Sequence, residues 1–421
     1  MWLRARVSDL IEDVRGSYWF VPALLALVGF SAGLLLVYTD AILGDDWMGQ
    51  VEWFYGSRPA GARSLLSTVA GSTITVAGVV FSITLAAVTY ASGQYGPRLL
   101  TYFIRDKGNQ VTLGVFIGTF LYCLVVLRTI RSAEEASADS AGAVREAFVP
   151  HLAMFGALAL AITSIGVLIY FVHHVTDGIH INNVIARVGK GLLADVAEQG
   201  RKNEEAEVSE ADHDCATWAI IPSGRTGYVE AIDEHSLVEF AQERDLVLSV
   251  AVMAGDFVHR GRPLLRVDAP DKKDCAASVE LFSISRKRSA LQDLRFPINE
   301  LVELAARALS PGINDPFTAI ACMDWLGAAL IDLSAMPERS AAVADEEGRV
   351  RLIMPRLDYA DYVEAAIGRL RPYAAQDVNA AAHLLKTLVA VREAVENPAH
   401  RALLELERNR LRRDIDKRAG A

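Results

Sequence analysis

No charged residue falls between Ser64 and Pro97 of this 421-residue chain. At about 1.5 Å per helical residue that stretch outlasts a hydrocarbon core of roughly 30 Å, so it reads as a membrane helix. Cysteine is also scarce. Cys123, Cys215, Cys275 and Cys322 lie far apart with no CxxC pair, which excludes a disulfide-stapled secreted fold and a zinc ribbon and favours reduced thiols. An excess of basic charge is lacking, and the formal net charge of −10 argues against nucleic acid as a partner. No P-loop, dinucleotide fingerprint, HExxH, GxSxG or triad signature is present. The residues therefore offer no nucleophile and base from which to build an enzyme, and no cofactor is implied.

What is present is apolar surface. Hydrophobic residues make up 52% of the chain and the mean hydropathy is +0.23, values that suit a protein part membrane and part soluble. Four spans are expected, at about 18–38, 64–97, 112–127 and 148–173. Arg4, Arg6 and Arg15 fall on the same side as Arg98, Arg105 and Lys107. The acidic loops with Asp40, Asp45, Asp46 and Glu52, and with Glu134, Glu135 and Asp139, fall on the other. The positive-inside rule then places both termini in the cytoplasm of a bacterial inner membrane. None of the four expected spans holds a carboxylate, so nothing points to a proton-coupled transporter.

The second span has an unusual face. Alternate steps of four and three give Thr68, Ser72, Thr75, Val79, Ser82, Ala86 and Thr89, small and mostly hydroxylated. One reading is tight packing inside a single subunit. The other is a homo-oligomer in which this face lines a path for inorganic ions, with Gly96, Pro97 and Arg98 at its inner mouth and weak anion preference from the flanking basic residues.

Beyond the spans the expected organisation is a membrane domain over 1–175, a helical extension and charged linker over 176–214, a small β domain over 215–270 and a helical domain over 271–421. The fold class is thus a membrane α-helical region plus a cytoplasmic α+β region, with a small β-barrel-like segment and a helical C-terminal bundle. His173, His174 and His180 share a boundary helix, but no cysteine joins them and aqueous solvation explains them without a metal. The phrases GYVEAI and VMAGDFVHRGRPLLRV resemble the half-motifs of biotinyl and lipoyl carrier domains. No lysine occurs from Asn203 to Asp271, so a carrier function is not expected.

The densest local signals sit in RKRSALQDLRFPINELVELAARALSPGINDPFTA. A helix over Ile298 to Leu309 should stop at Ser310-Pro311-Gly312, and Asn314 or Asp315 should cap a helix over Phe317 to Leu333 with Pro316 at its first position. Capping explains these residue types. The functional alternative groups Arg288, Gln292 and Asp293 with Asn314 and Asp315 as a polar pocket or subunit contact.

That stretch, with the upstream spans and TYASGQYGPRLL, resembles an uncharacterised bacterial family of predicted membrane proteins, the domain of unknown function numbered twenty-two fifty-four. The resemblance covers nearly the whole chain and implies a membrane topology but no activity. Two functions from different classes stay open: an oligomeric ion channel, and a non-conducting scaffold or sensor whose soluble region binds a partner or small ligand.

Overall fold

The computed structural model describes residues 17–43, 59–95, 106–131, 148–204, 215–268 and 273–419. The chain divides into two compact units, Met1–His180 and Ile181–Ala421.

The first unit contains α1 (Phe20–Leu43), α2 (Pro59–Tyr95), α3 (Lys107–Thr129) and α4 (His151–Ile179). Helix α3 packs against the other three and is the most enclosed, with 56% of its most apolar window buried. Glycine makes this possible: a Cβ on Gly29 of α1 would lie 2.3 Å from the carbonyl oxygen of Gly118 on α3, so the two backbones touch. Polar ties cross the bundle as well. The Tyr122 hydroxyl donates to the Ala153 carbonyl at 2.7 Å, and Thr119 and Ser164 hydroxyls meet at 3.3 Å. Asp40, expected in an external loop, instead lies within α1 and is only 6% exposed. Its carboxylate accepts from the backbone N–H groups of Leu152 and Ala153, which open α4.

The second unit begins with the amphipathic α5 (Ile181–Glu204). The helix expected to run on past His174 is broken at His180, whose backbone is extended. Then follow β1 (Ala219–Pro222), β2 (Gly227–Ile232), α6 (Glu234–Glu243), β3 (Leu248–Val250), β4 (Phe257–Val258), β5 (Pro263–Val267) and β6 (Phe282–Ser285). Helices α7 (Arg295–Ala308) and α8 (Pro316–Ala335) precede β7 (Ala342–Ala344) and β8 (Val350–Ile353). The chain closes with α9 (Tyr359–Val363), a π-helical turn at Glu364–Gly368, α10 (Arg369–Ala374), α11 (Val378–Ala394) and α12 (Pro398–Ala419).

Two expectations are corrected here. The strands form no closed barrel: they make two sheets, ordered β1-β5-β3-β8-β7 and β4-β2-β6. The reason is long-range pairing, since β3 runs parallel to β8, a strand about a hundred residues later, and the larger sheet ends on β7 instead of curling back to β1. Second, among the described residues five helices rather than four are long and apolar enough to cross a membrane, the fifth being α8. In that helix Ala319, Cys322, Met323 and Leu326 are fully buried, and it packs on α5, α7 and α11.

The α7–α8 corner follows its capping chemistry. Asp315 accepts from the Thr318 backbone N–H at 3.2 Å and from its hydroxyl at 2.6 Å, and Pro316 occupies the first helical turn. Asn314 takes the left-handed conformation at φ 51°, which lets the Asp315 N–H reach back to the Ala308 carbonyl at 2.8 Å.

Candidate functional site

Two places in the molecule combine unusual chemistry with access, one in each unit. The first is α2. Its buried face is built from small apolar residues, Ala62, Leu66, Ala70, Ala77, Val80 and Ala87, interleaved with Thr73 and Thr84. The face singled out from sequence points the opposite way: Thr68, Ser72, Thr75, Val79, Ser82, Ala86 and Thr89 are all exposed within the chain. Val79 is 52% exposed while its neighbour Val80 is 1%. A Cβ added at Gly71 or Gly78 on the same face would meet nothing within 4 Å. Larger apolar side chains, Leu65 and Ile83 on one flank and Ile74, Phe81 and Leu85 on the other, border the stripe.

Four of the five hydroxyls on this face are already committed as donors. Thr68, Thr75, Ser82 and Thr89 each donate to the carbonyl four residues earlier, at 2.8–2.9 Å. Their oxygen lone pairs are therefore what the face offers outward, a row of partial negative charge. At 37 residues the helix is about 55 Å long, well beyond a hydrocarbon core of about 30 Å. Gly96, Pro97 and Arg98, the expected inner mouth, lie outside the described residues.

The second place is in the C-terminal unit. Of the residues grouped from sequence, Arg288 and Asp293 form an ion pair and Gln292 precedes Asp293 in the chain. Asp293, 2% exposed, accepts from Arg288 Nε at 2.7 Å and from Arg295 Nε at 3.0 Å. Arg295 also donates to the Ala254 carbonyl, tying α7 to the turn after β3. Gly255 in that turn has φ +87°, and a Cβ there would sit 2.0 Å from Asp293 Oδ2, so only glycine fits. Gln292 pairs its side-chain amide with both backbone groups of Ile232, at 2.9 and 3.2 Å. Asn314 and Asp315 do not join this cluster; they are occupied in the α7–α8 corner.

Gln292 and Asp293 form one wall of an open cleft of about 350 Å³. At its centre Glu234, the first residue of α6, accepts from two arginines: Arg339 at 2.8 Å and Arg356 at 3.0 and 3.1 Å. These arginines follow two similar Met-Pro segments outside regular secondary structure, Met336-Pro337-Glu338-Arg339 and Met354-Pro355-Arg356. Burial works against the Arg339 guanidinium and lowers its pKa, Glu234 opposes that, and the neighbouring Arg356 adds to it. Across the cleft His400 stacks on the Tyr359 ring at 4.0 Å between centroids and shares a 2.8 Å hydrogen bond with the Ser334 hydroxyl. Sequence reading missed this constellation. Its members are separated by up to 166 positions (Glu234 to His400), and the only local signal is the pair of Met-Pro segments that each lead to an arginine.

No three metal-ligating side chains converge among the described residues. His174 instead pairs with Asp106 at 2.7 Å, and His173 reaches Asp177 at 3.4 Å on the helix surface.

Apolar helices of membrane-spanning length, joined in one chain to a mixed α/β unit, define a multi-helix membrane protein. The chain belongs to the family described as predicted membrane protein (DUF2254), which it matches over residues 15–390. An uncharacterized protein of Mycobacterium tuberculosis is 28% identical over 411 residues, covering 96% of this chain and 77% of its own length. An uncharacterized protein of Mycobacterium bovis is similar to the same extent, 28% over 411 residues. No solved structure matches the chain.

Proposed function

We propose that this protein is a homo-oligomeric ion channel of the bacterial inner membrane, with copies of α2 arranged around a shared path and the C-terminal unit in the cytoplasm serving assembly or gating. On this reading α1 to α4 cross the bilayer, α8 stays in the core of the C-terminal unit, and both termini are cytoplasmic. The observation that carries it is the placement of the hydroxylated stripe of α2 directly opposite the face that packs in its own subunit, with bulky apolar flanks on either side. Lipid rewards large apolar side chains on an exposed face, whereas a row of Ser, Thr, Gly and Ala suits close helix approach or water. The flanking Ile74, Phe81, Leu65 and Ile83 are then available to pack on neighbouring copies.

The hydrogen bonds refine the selectivity expected from sequence. Because the hydroxyl hydrogens are turned onto their own helix, the lone pairs facing the path favour cations. This opposes the anion preference suggested by the basic residues at the mouths. Val79 and Ala86 are the apolar positions within the stripe and serve as a dewetting constriction.

The test pairs assembly with conduction. Val79→Cys in a Cys215→Ser background should form a disulfide-linked dimer on mild oxidation, and Val80→Cys should not. Purified protein in planar bilayers should then pass cations in preference to anions. Cross-linking without any conductance would leave a non-conducting scaffold and refute the channel.

A further inference from the structure

The cleft of the C-terminal unit holds an electrostatic imbalance. Arg339 and Arg356 approach from separate connecting segments and share one carboxylate, Glu234, with all three side chains only 22–24% exposed. Two partly desolvated guanidiniums on one anion leave a net positive charge at the centre of the site. Each guanidinium carries more donors than one carboxylate can accept. Lys202 of α5, also on the lining, is exposed and paired with Glu198 at 2.7 Å, so it adds nothing to this excess.

Three other carboxylates line the cleft, and two of them have partners of their own. Asp293 is held between Arg288 and Arg295. Asp358 is spent on the capping box of α9 with Asp361. Glu338 contributes at the rim.

Met253, Met354, Leu294, Leu333, Tyr359 and Tyr362 supply an apolar and aromatic wall, and Gln199, Asn203 and Gln292 add neutral polar groups. The Tyr359 hydroxyl is buried with no hydrogen-bond partner among the described residues. A cleft of about 350 Å³ falls at the lower end of the range that small-molecule sites occupy, roughly 300–1,000 Å³, and its mixture of apolar wall and a few convergent charges is their usual chemistry.

We infer that this cleft binds a small organic anion, with a phosphate or carboxylate head bridging Arg339 and Arg356 and an apolar or aromatic body against the methionines and tyrosines. Glu234 is the internal stand-in for the head: it occupies both arginines when the cleft is empty and must be partly displaced when the ligand binds. Planar guanidiniums suit either head, since both present paired oxygens for bidentate contact. This inference does not depend on conduction through the membrane unit.

Fluorine NMR of the full-length protein in detergent tests it, with para-fluorophenyl phosphate, para-fluorophenylacetate and para-fluorophenol as probes. At least one of the two anionic probes should broaden on adding protein, and inorganic phosphate should displace it; which head binds better identifies the natural class. The phenol should bind about tenfold more weakly or not at all. Arg356→Gln should weaken the anionic probe about tenfold or more, and Glu234→Gln, by removing the competing carboxylate, should tighten it several-fold. A Glu234 that merely held the fold together would give the opposite sign. Phenol binding equal to the anionic probes, no broadening by either anion, or binding unchanged in Arg356→Gln would each overturn the proposal. Where Arg356→Gln lowers the yield of folded protein, the wild-type competition with inorganic phosphate decides alone: absence of displacement refutes the anion site.

Discussion

Asp40 on the last turns of α1 accepts the backbone N–H of Ala153 at 2.9 Å and so caps a helix that begins more than a hundred residues later. The same carboxylate takes the Leu152 N–H at 3.0 Å, and Tyr122 closes the arrangement by donating to the Ala153 carbonyl. A buried carboxylate at a helix N-terminus is stabilised by the exposed donors and by the helix dipole. Asp40→Ala should leave two N–H groups without acceptors and cost about 1–3 kcal/mol. The check is a thermal melt of purified protein in detergent. Asp40→Asn, which keeps one acceptor oxygen, should fall between the two.

Gly255 and Gly261 both have positive φ, at 87° and 90°, yet their surroundings differ. A methyl group at Gly255 strikes the Asp293 carboxylate, whereas one at Gly261 meets open space. Gly261→Ala should cost only the backbone strain, about 1 kcal/mol. Gly255→Ala should cost several times more, because it also pushes Asp293 away from Arg288 and Arg295. Hydrogen exchange at Val229, whose N–H donates to the Asp256 carbonyl beside this turn, should report the difference.

Val79 and Val80 are neighbours with opposite exposure on α2. Val79→Ser should raise conductance or hold the path open, at little cost in stability. Val80→Ser should leave any conductance unchanged and lower the stability of the bundle by about 1–3 kcal/mol through a buried hydroxyl in a packed apolar site. Single-channel recording and detergent melts of the two variants distinguish these outcomes.

Orientation has a native reporter. Cys123, Cys275 and Cys322 are buried, while Cys215 is partly exposed. A membrane-impermeant maleimide should therefore label Cys215 only after cell lysis, and an introduced Ser137→Cys should react in intact cells. Reversed labelling would overturn the assignment of sides.

His400 provides a pH test of the cleft wall. Burial against Tyr359 lowers its pKa from the ordinary 6.5, although Glu338 and Asp358 pull the other way. On acidification the unfolded chain then binds the proton before the folded one does. Stability of the C-terminal unit should be full above about 6.5, fall as the pH drops below that, and level off once the folded-state pKa is passed. In His400→Gln this component of the acid destabilisation should disappear, as followed by chemical denaturation across that window.

Much of the architecture is written locally in the chain. Uninterrupted apolar runs specify α1 to α4, because the helical backbone satisfies its own hydrogen bonds wherever water is excluded. The Ser310–Pro316 turn is equally local, since Asp315 caps the residues that follow it directly. The face of α2 was legible for the same reason: a helical period assigns Val79 and Val80 to different sides before any neighbour is known. The helix over 317–333 was expected within the C-terminal domain, yet by length and hydropathy α8 is a candidate span like α1 to α4; its packing on α5, α7 and α11 is visible only in the tertiary structure. Only the tertiary structure pairs β3 with β8 and opens the expected barrel into two sheets, because strand pairing is a choice of partners that no strand carries within itself. It alone carries Asp40 to Ala153, and Arg339 and Arg356 to Glu234. These contacts join groups whose separation along the chain is bridged by packing of the elements between them, so neither spacing nor composition records them.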